Sequence, residues 1–183
     1  MNGPVRSRTP RPHPTGGTDM KLLAIYLNDH LAGATAGTQR VGHLARASRG
    51  TALGRALDGV AAEIAEDRAT LLEIMRDLDV PVRHYKVWAG WAAEKAARLK
   101  GNGRLVRRSP LSTVLELEAL RLAVEGKAAG WTTLRRLAPS DERLDPALLD
   151  TLLDRAERQQ DAVEEWRVHE AETALSTPGR AAA

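Results

Sequence analysis

Residues 79–110 read DVPVRHYKVWAGWAAEKAARLKGNGRLVRRSP, and the choice of fold turns on this stretch. Pro81 has no N–H to give to a helical ladder, so it stops the helix before it. At the far end, Ser109 suits a helix N-cap and Pro110 suits the first helical position, so a new helix starts there. The roughly 28 residues between these signals are far more than a helix–helix turn needs. They hold one shorter helical pattern, at about 84–99, closed by Gly101-Asn102-Gly103.

Working outward, the segments on either side are long and helix-periodic. Helix 1 begins after Thr18-Asp19 and runs to about Ser48, with Leu23, Leu27, Leu31, Ala34, Val41 and Leu44 on one stripe. After the turn Arg49-Gly50-Thr51, helix 2 runs to about Asp79 on Leu53, Leu57, Val60, Ile64, Leu71, Ile74 and Leu78. Beyond the connector, helix 3 runs from Pro110 to about Ala138 through Val114, Leu117, Leu120, Val124, Ala128, Trp131 and Leu134. Pro139 and Ser140 break it. Helix 4 covers roughly 146–174, with Leu149, Leu153, Ala156, Val163 and Trp166 inward. No alternating strand pattern competes. Short turns join 1 to 2 and 3 to 4, making two antiparallel hairpins. A helix of nearly 30 residues is about 40 Å long. The connector is long enough to travel that distance and set helices 2 and 3 parallel. The alternative is an array of five unequal helices.

Composition narrows the chemistry. With no cysteine among 183 residues there is no disulfide, thiol nucleophile or thiolate metal site. Phenylalanine is absent too, so the core is aliphatic with four Trp as its bulky pieces. Residues 1–18 are rich in Pro, Gly and Arg and read as a disordered tail, as do 176–183; the bundle is 19–175. The N-terminal stretch lacks the apolar segment of an export signal, and no run approaches the roughly 18 apolar residues of a membrane span. A cytoplasmic protein is the expectation. There is no Gly-rich phosphate loop, no Gly-x-Ser-x-Gly and no Cys-His pair. No catalytic residue and no cofactor is assigned.

The third and fourth helices carry a further pattern. They read Arg121-Leu-Ala-Val-Glu125-Gly-Lys127-Ala-Ala-Gly-Trp131-Thr-Thr-Leu-Arg-Arg-Leu-Ala138 and Leu152-Leu-Asp-Arg-Ala-Glu-Arg-Gln159-Gln160-Asp161. With Val41-Gly-His-Leu-Ala-Arg-Ala47 and Leu72-Glu73-Ile-Met75, they resemble a bacterial ferritin-like family of small, stress-associated four-helix proteins. The resemblance covers about residues 22–175. It implies a ferritin-like bundle, two hairpins joined by a long crossover (81–109) containing a short fifth helix. It also implies a di-metal carboxylate centre, for which a Glu comes from each of two helices and a Glu-x-x-His pair from each of the others.

Here the chain departs from the family. Where the resemblance puts the first-helix Glu stands Ala34. Val124, Glu125, Gly126 and Lys127 take the place of Glu-His-x-Glu, and Gln159 and Gln160 that of Glu-Glu. No Glu-x-x-His occurs, and an ammonium at Lys127 would repel cations. A diverged family member with a degenerate, metal-free site is therefore expected. In that setting Lys127 supplies positive charge to Glu63, Glu66 or Asp67, or else snorkels outward. His30, Glu63, Glu66 and Glu125 form an alternative, mononuclear metal set. Glu165 and His169 are at i, i+4, a spacing more often a surface contact.

Two glycine pairs, Gly33/Gly37 and Gly126/Gly130, recur at equal spacing on helices 1 and 3. Glycine inside a helix costs about 1 kcal/mol against alanine. A close crossing of the two helices at these glycines is expected, and a cavity lined by small residues is the alternative. Charge is concentrated in residues 81–110, with eight basic residues against Glu94 alone. Arg98, Lys100, Arg104, Arg107 and Arg108 are the candidate anion-binding residues there, with Trp88 and Trp91 either assisting or packing that helix on the bundle.

The functional expectation is a non-catalytic ferritin-like domain, structural or partner-binding, and homo-oligomeric or bound to a protein partner. An atypical metal-binding or oxidoreductase protein is the second reading. Anion or nucleic-acid association through the basic crossover, with no recognised motif behind it, is the third.

Overall fold

A computed structural model describes residues 18–83 and 110–176. Among them are four α-helices and no strand: α1 Met20–Ala47, α2 Ala52–Asp77, α3 Pro110–Leu137 and α4 Pro146–Leu175. A 3-10 turn, Ala138–Ser140, follows α3. None of the helices is long and apolar enough to cross a membrane.

The helix ends are local chemistry. The Asp19 carboxylate accepts from the backbone N–H groups of Lys21 (2.9 Å) and Leu22 (3.2 Å). Thr51 caps α2 through Gly54 N–H at 3.1 Å, and Asp145 caps α4 through Ala147 N–H at 2.8 Å, with Pro146 in the first turn. The end of α2 differs slightly from the sequence expectation. It stops at Asp77, before Pro81 acts, because Asp79 turns left-handed (φ 56°). Val80 N–H then donates to Met75 C=O (2.8 Å) and Asp79 N–H to Arg76 C=O (3.0 Å), closing the helix in a Schellman motif with Val80 buried.

Gly54 shows why the α1–α2 turn can be so short. A Cβ there would strike the Ser48 carbonyl, lying 2.8 Å from its carbon and 3.4 Å from the Arg49 Cα. Backbone, not a yielding side chain, would have to move. Gly54→Ala is therefore expected to destabilise by about 1–3 kcal/mol, outweighing alanine's better helix propensity. Chemical denaturation of the two proteins checks this.

Long-range contacts fix the directions. Tyr26 meets Thr133 and His30 lies on Gly130, so α1 is antiparallel to α3. Glu63 meets Gln159 and Asp67 meets Arg155, so α2 is antiparallel to α4. With each hairpin antiparallel, α2 and α3 run parallel across the bundle. The end of α2 and the start of α3 consequently lie at opposite ends, as the long connector anticipates. The α3–α4 register is marked by Arg135–Asp150 (2.7 Å), Arg121–Glu164 (3.1 Å) and Glu118–Arg167 (3.8 Å). Exposed pairs of this kind contribute about 0.2–1 kcal/mol each, so they define register more than stability.

Stability resides in the aliphatic interior. Leu27, Leu44, Leu57, Leu117, Leu120 and Leu149 are all buried, and the stripe read for α2 is buried throughout. Asn28, a polar residue beside that core, is also buried. Its amide donates to Ala24 C=O (2.8 Å) and Pro81 C=O (3.1 Å), and its oxygen accepts from Arg83 N–H (2.9 Å). One satisfied side chain thus ties the chain leaving α2 against α1. The expected tails, the fifth helix at 84–99, Trp88 and Trp91, and the basic residues Arg98, Lys100, Arg104, Arg107 and Arg108 lie outside the described residues.

Candidate functional site

Asp67 is the most deeply set charge in the described bundle. It belongs to α2, one turn from Glu63, and is only 1% exposed. Burying a carboxylate is tolerable when cations and donors surround it. Three side chains do so. The Lys127 amine on α3 donates to Asp67 and to the Gln159 amide oxygen. The Arg155 guanidinium on α4 donates to Asp67 at 3.0 Å and to Glu66 at 3.2 Å. The Gln159 amide nitrogen donates to Glu63 at 2.8 Å and, more weakly, to Asp67 at 3.4 Å.

Helix spacing explains the convergence. Glu63 and Asp67 are i, i+4 on α2, and Arg155 and Gln159 are i, i+4 on the antiparallel α4, so the two rows face one another. Lys127 reaches the same point from across the bundle. Burial pushes its amine below the usual lysine value, while the charge and hydrogen bond of Asp67 act in the opposite direction. The ion pair keeps cationic character where an isolated buried lysine would lose it.

Beside this network lies a cleft of about 470 Å³ between α1, α2 and α3. Leu27, Ile64, Leu71, Leu120, Val124 and Leu134 give it an apolar lining. Asp29, His30, Arg68, Asp67 and Lys127 are its charged and titratable lining residues besides Tyr26. The Tyr26 and Thr133 hydroxyls, 3.0 Å apart, bridge α1 to α3 at one end.

The glycines correct the close-crossing expectation. A Cβ built on Gly33, Gly37 or Gly126 finds nothing within 4 Å, and all three line the cleft. Only Gly130 is a close approach, and it meets a side chain: a Cβ would lie 3.0 Å from the His30 ring. The small-residue cavity is the observed outcome, because the His30 ring stands between the helices at Gly130. Gly33→Ala and Gly126→Ala should each stabilise by about 0.5–1 kcal/mol through helix propensity. Gly130→Ala should destabilise. Thermal melts of the three single variants separate the cases by sign.

His30 also packs edge-on against Tyr26, with ring centroids 4.4 Å apart. Burial pushes its imidazole below 6.5, against the charge of Asp29. As the pH falls through 6.5, the unfolded chain takes up a proton that the folded protein resists, so this contribution to stability is lost in acid. His30→Gln should flatten the decline in melting temperature between about pH 7.5 and about pH 5.

The candidate positions read from sequence divide. Ala34, Val124 and Lys127 line the cleft, and Gln159 is buried in the network. Glu125 points outward, 3.8 Å from Arg121, and Gln160 is half-buried and outside the network. The alternative metal set is not assembled. Glu63 bonds to Gln159, the mostly exposed Glu66 to Arg155, and Glu125 faces solvent. Among the described residues no group of three His, Asp or Glu side chains is placed to hold a metal ion. His169 stacks edge-on against Trp166 at 5.5 Å. Arg155 and Arg68 were missed at the sequence level. Their signal was positional: Arg155 precedes Gln159 by one turn, and Arg68 adjoins the inward row of α2.

Comparison with protein-family models, with the curated proteins and with the solved structures finds no match for this chain.

Proposed function

We propose that this chain is a non-catalytic, ferritin-like helical domain that acts by binding. In this reading, a lysine-centred ion network stands where such bundles hold a di-metal centre. The observation carrying the reading is the Lys127 amine seated on Asp67 and Gln159, with Arg155 on the other carboxylate oxygen. Two cations already neutralise Asp67, the one deeply buried carboxylate among the described residues. A divalent metal would have to displace them, and beyond Asp67 and Glu63 on α2 it would meet Gln159 on α4 and Ala34 on α1 in place of further acidic ligands. The parallel setting of α2 and α3 across two hairpins supports the ferritin-like part. Leu115 and Leu122, exposed on the outer face of α3, support association with a second copy or a protein partner through that face.

The test is elemental analysis of protein purified without chelators, together with its mass by light scattering. Only trace iron, manganese and zinc are expected, with a mass above the monomer. Stoichiometric metal would overturn the non-catalytic reading in favour of an atypical metal protein. A strictly monomeric mass would remove self-association.

A further inference from the structure

We propose that the cleft between α1, α2 and α3 is a binding site for a small, largely apolar molecule carrying a single carboxylate. The inference is independent of any ferritin-like ancestry. A volume of about 470 Å³ lies within the roughly 300–1,000 Å³ of small-molecule sites, and the lining is mostly apolar with a few polar groups.

Three helix-interior glycines, Gly33, Gly37 and Gly126, open onto this space. Each weakens its helix by about 1 kcal/mol relative to alanine, yet none brings a neighbouring chain closer. Their effect is to leave room. Side chains there would fill the volume that an apolar ligand body would occupy.

Arg68 supplies the polar contact. Its Nε donates to Thr35 Oγ1 at 3.0 Å, and that hydroxyl donates to Leu31 C=O at 2.8 Å. The half-buried guanidinium is thus oriented from α1, and among the described residues no carboxylate lies within 4 Å of it. Lys127 and Arg155 differ, since both pair with Asp67. Among the described cations lining the cleft, Arg68 is therefore the one without a carboxylate partner, and a guanidinium receives a carboxylate through paired N–H donors. For a cationic ligand the cleft offers less: Asp67 is already paired, and Asp29, though it lines the cleft, is exposed to solvent.

The test is calorimetric titration of the full chain with decanoate and, as a neutral control, 1-decanol. Saturable 1:1 binding of decanoate is expected, at least tenfold tighter than 1-decanol. Arg68→Gln should erase that preference, and Gly33→Leu should weaken both ligands at least tenfold. Melting curves establish that the variants fold. Arg68→Lys and Gly126→Leu replace any that do not, with a reduced preference and the same blockade expected. No decanoate binding, or binding that ignores the glycine substitution, overturns the site. Equal affinity for decanoate and 1-decanol, or a preference that survives Arg68→Gln, overturns the carboxylate assignment.

Discussion

Replacing Asp67 with leucine is expected to destabilise the protein by about 3–5 kcal/mol, a fall in melting temperature of roughly 10 °C for a chain of this size. Asp67 accepts from Lys127, Arg155 and Gln159 at the centre of the bundle. Its removal leaves the Lys127 ammonium buried without its counter-charge, while Arg155 keeps Glu66 nearer the surface. The loss arises from the stranded cation, not from the net worth of the ion pair. Attraction within a buried pair roughly balances the desolvation of its members. The double variant Asp67→Leu, Lys127→Met should therefore recover most of the stability lost by the single variant. A double variant as unstable as Asp67→Leu would place the effect in the geometry of α2 and not in charge. The Lys127→Met single variant should lose less, since Asp67 still receives Arg155 and Gln159.

Trp131→Ala should cost about 3–5 kcal/mol as well, for a different reason. Trp131 is 3% exposed on the inner face of α3 and forms part of the wall of the cleft. Truncation removes the largest side chain there and enlarges an existing cavity that the helices cannot collapse. Its Nε1 is buried without an acceptor among the described residues, so Trp131→Phe should lose much less. Leu122→Ala, on the outer face of the same helix and 65% exposed, should change stability by no more than about 0.5 kcal/mol. Urea unfolding midpoints for the three variants test this order. Comparable losses for Trp131→Ala and Leu122→Ala would contradict the inward assignment.

The charged interior was half legible in the sequence. Lys127 within an otherwise apolar helical face stood out, and acidic residues of α2 were its natural counterparts. Which of Glu63, Glu66 and Asp67 received it was a matter of rotation about α2. Packing set Asp67 inward and Glu66 outward. Arg155 escaped notice because a basic residue on a charged helix resembles any solvated one until the facing helix is known. At Gly33, Gly37 and Gly126 the structure has open space where the glycine spacing suggests a close crossing. Spacing alone is the same for a tight helix crossing and for a cavity, and the His30 ring decided between them by occupying the approach at Gly130.

Sequence by itself determined the four helices, the Asp19 cap of α1, most of the inward aliphatic rows and the short turns that make two hairpins. These depend on residues within a few positions of one another, so local periodicity and capping chemistry suffice. Tertiary structure alone decided that Lys127, Asp67, Arg155 and Gln159 meet, that no carboxylate among the described residues pairs with Arg68, and that Gly33, Gly37 and Gly126 open onto a cleft. Those outcomes join groups dozens of residues apart, and they depend on the rotation and separation of whole helices, which no local pattern encodes.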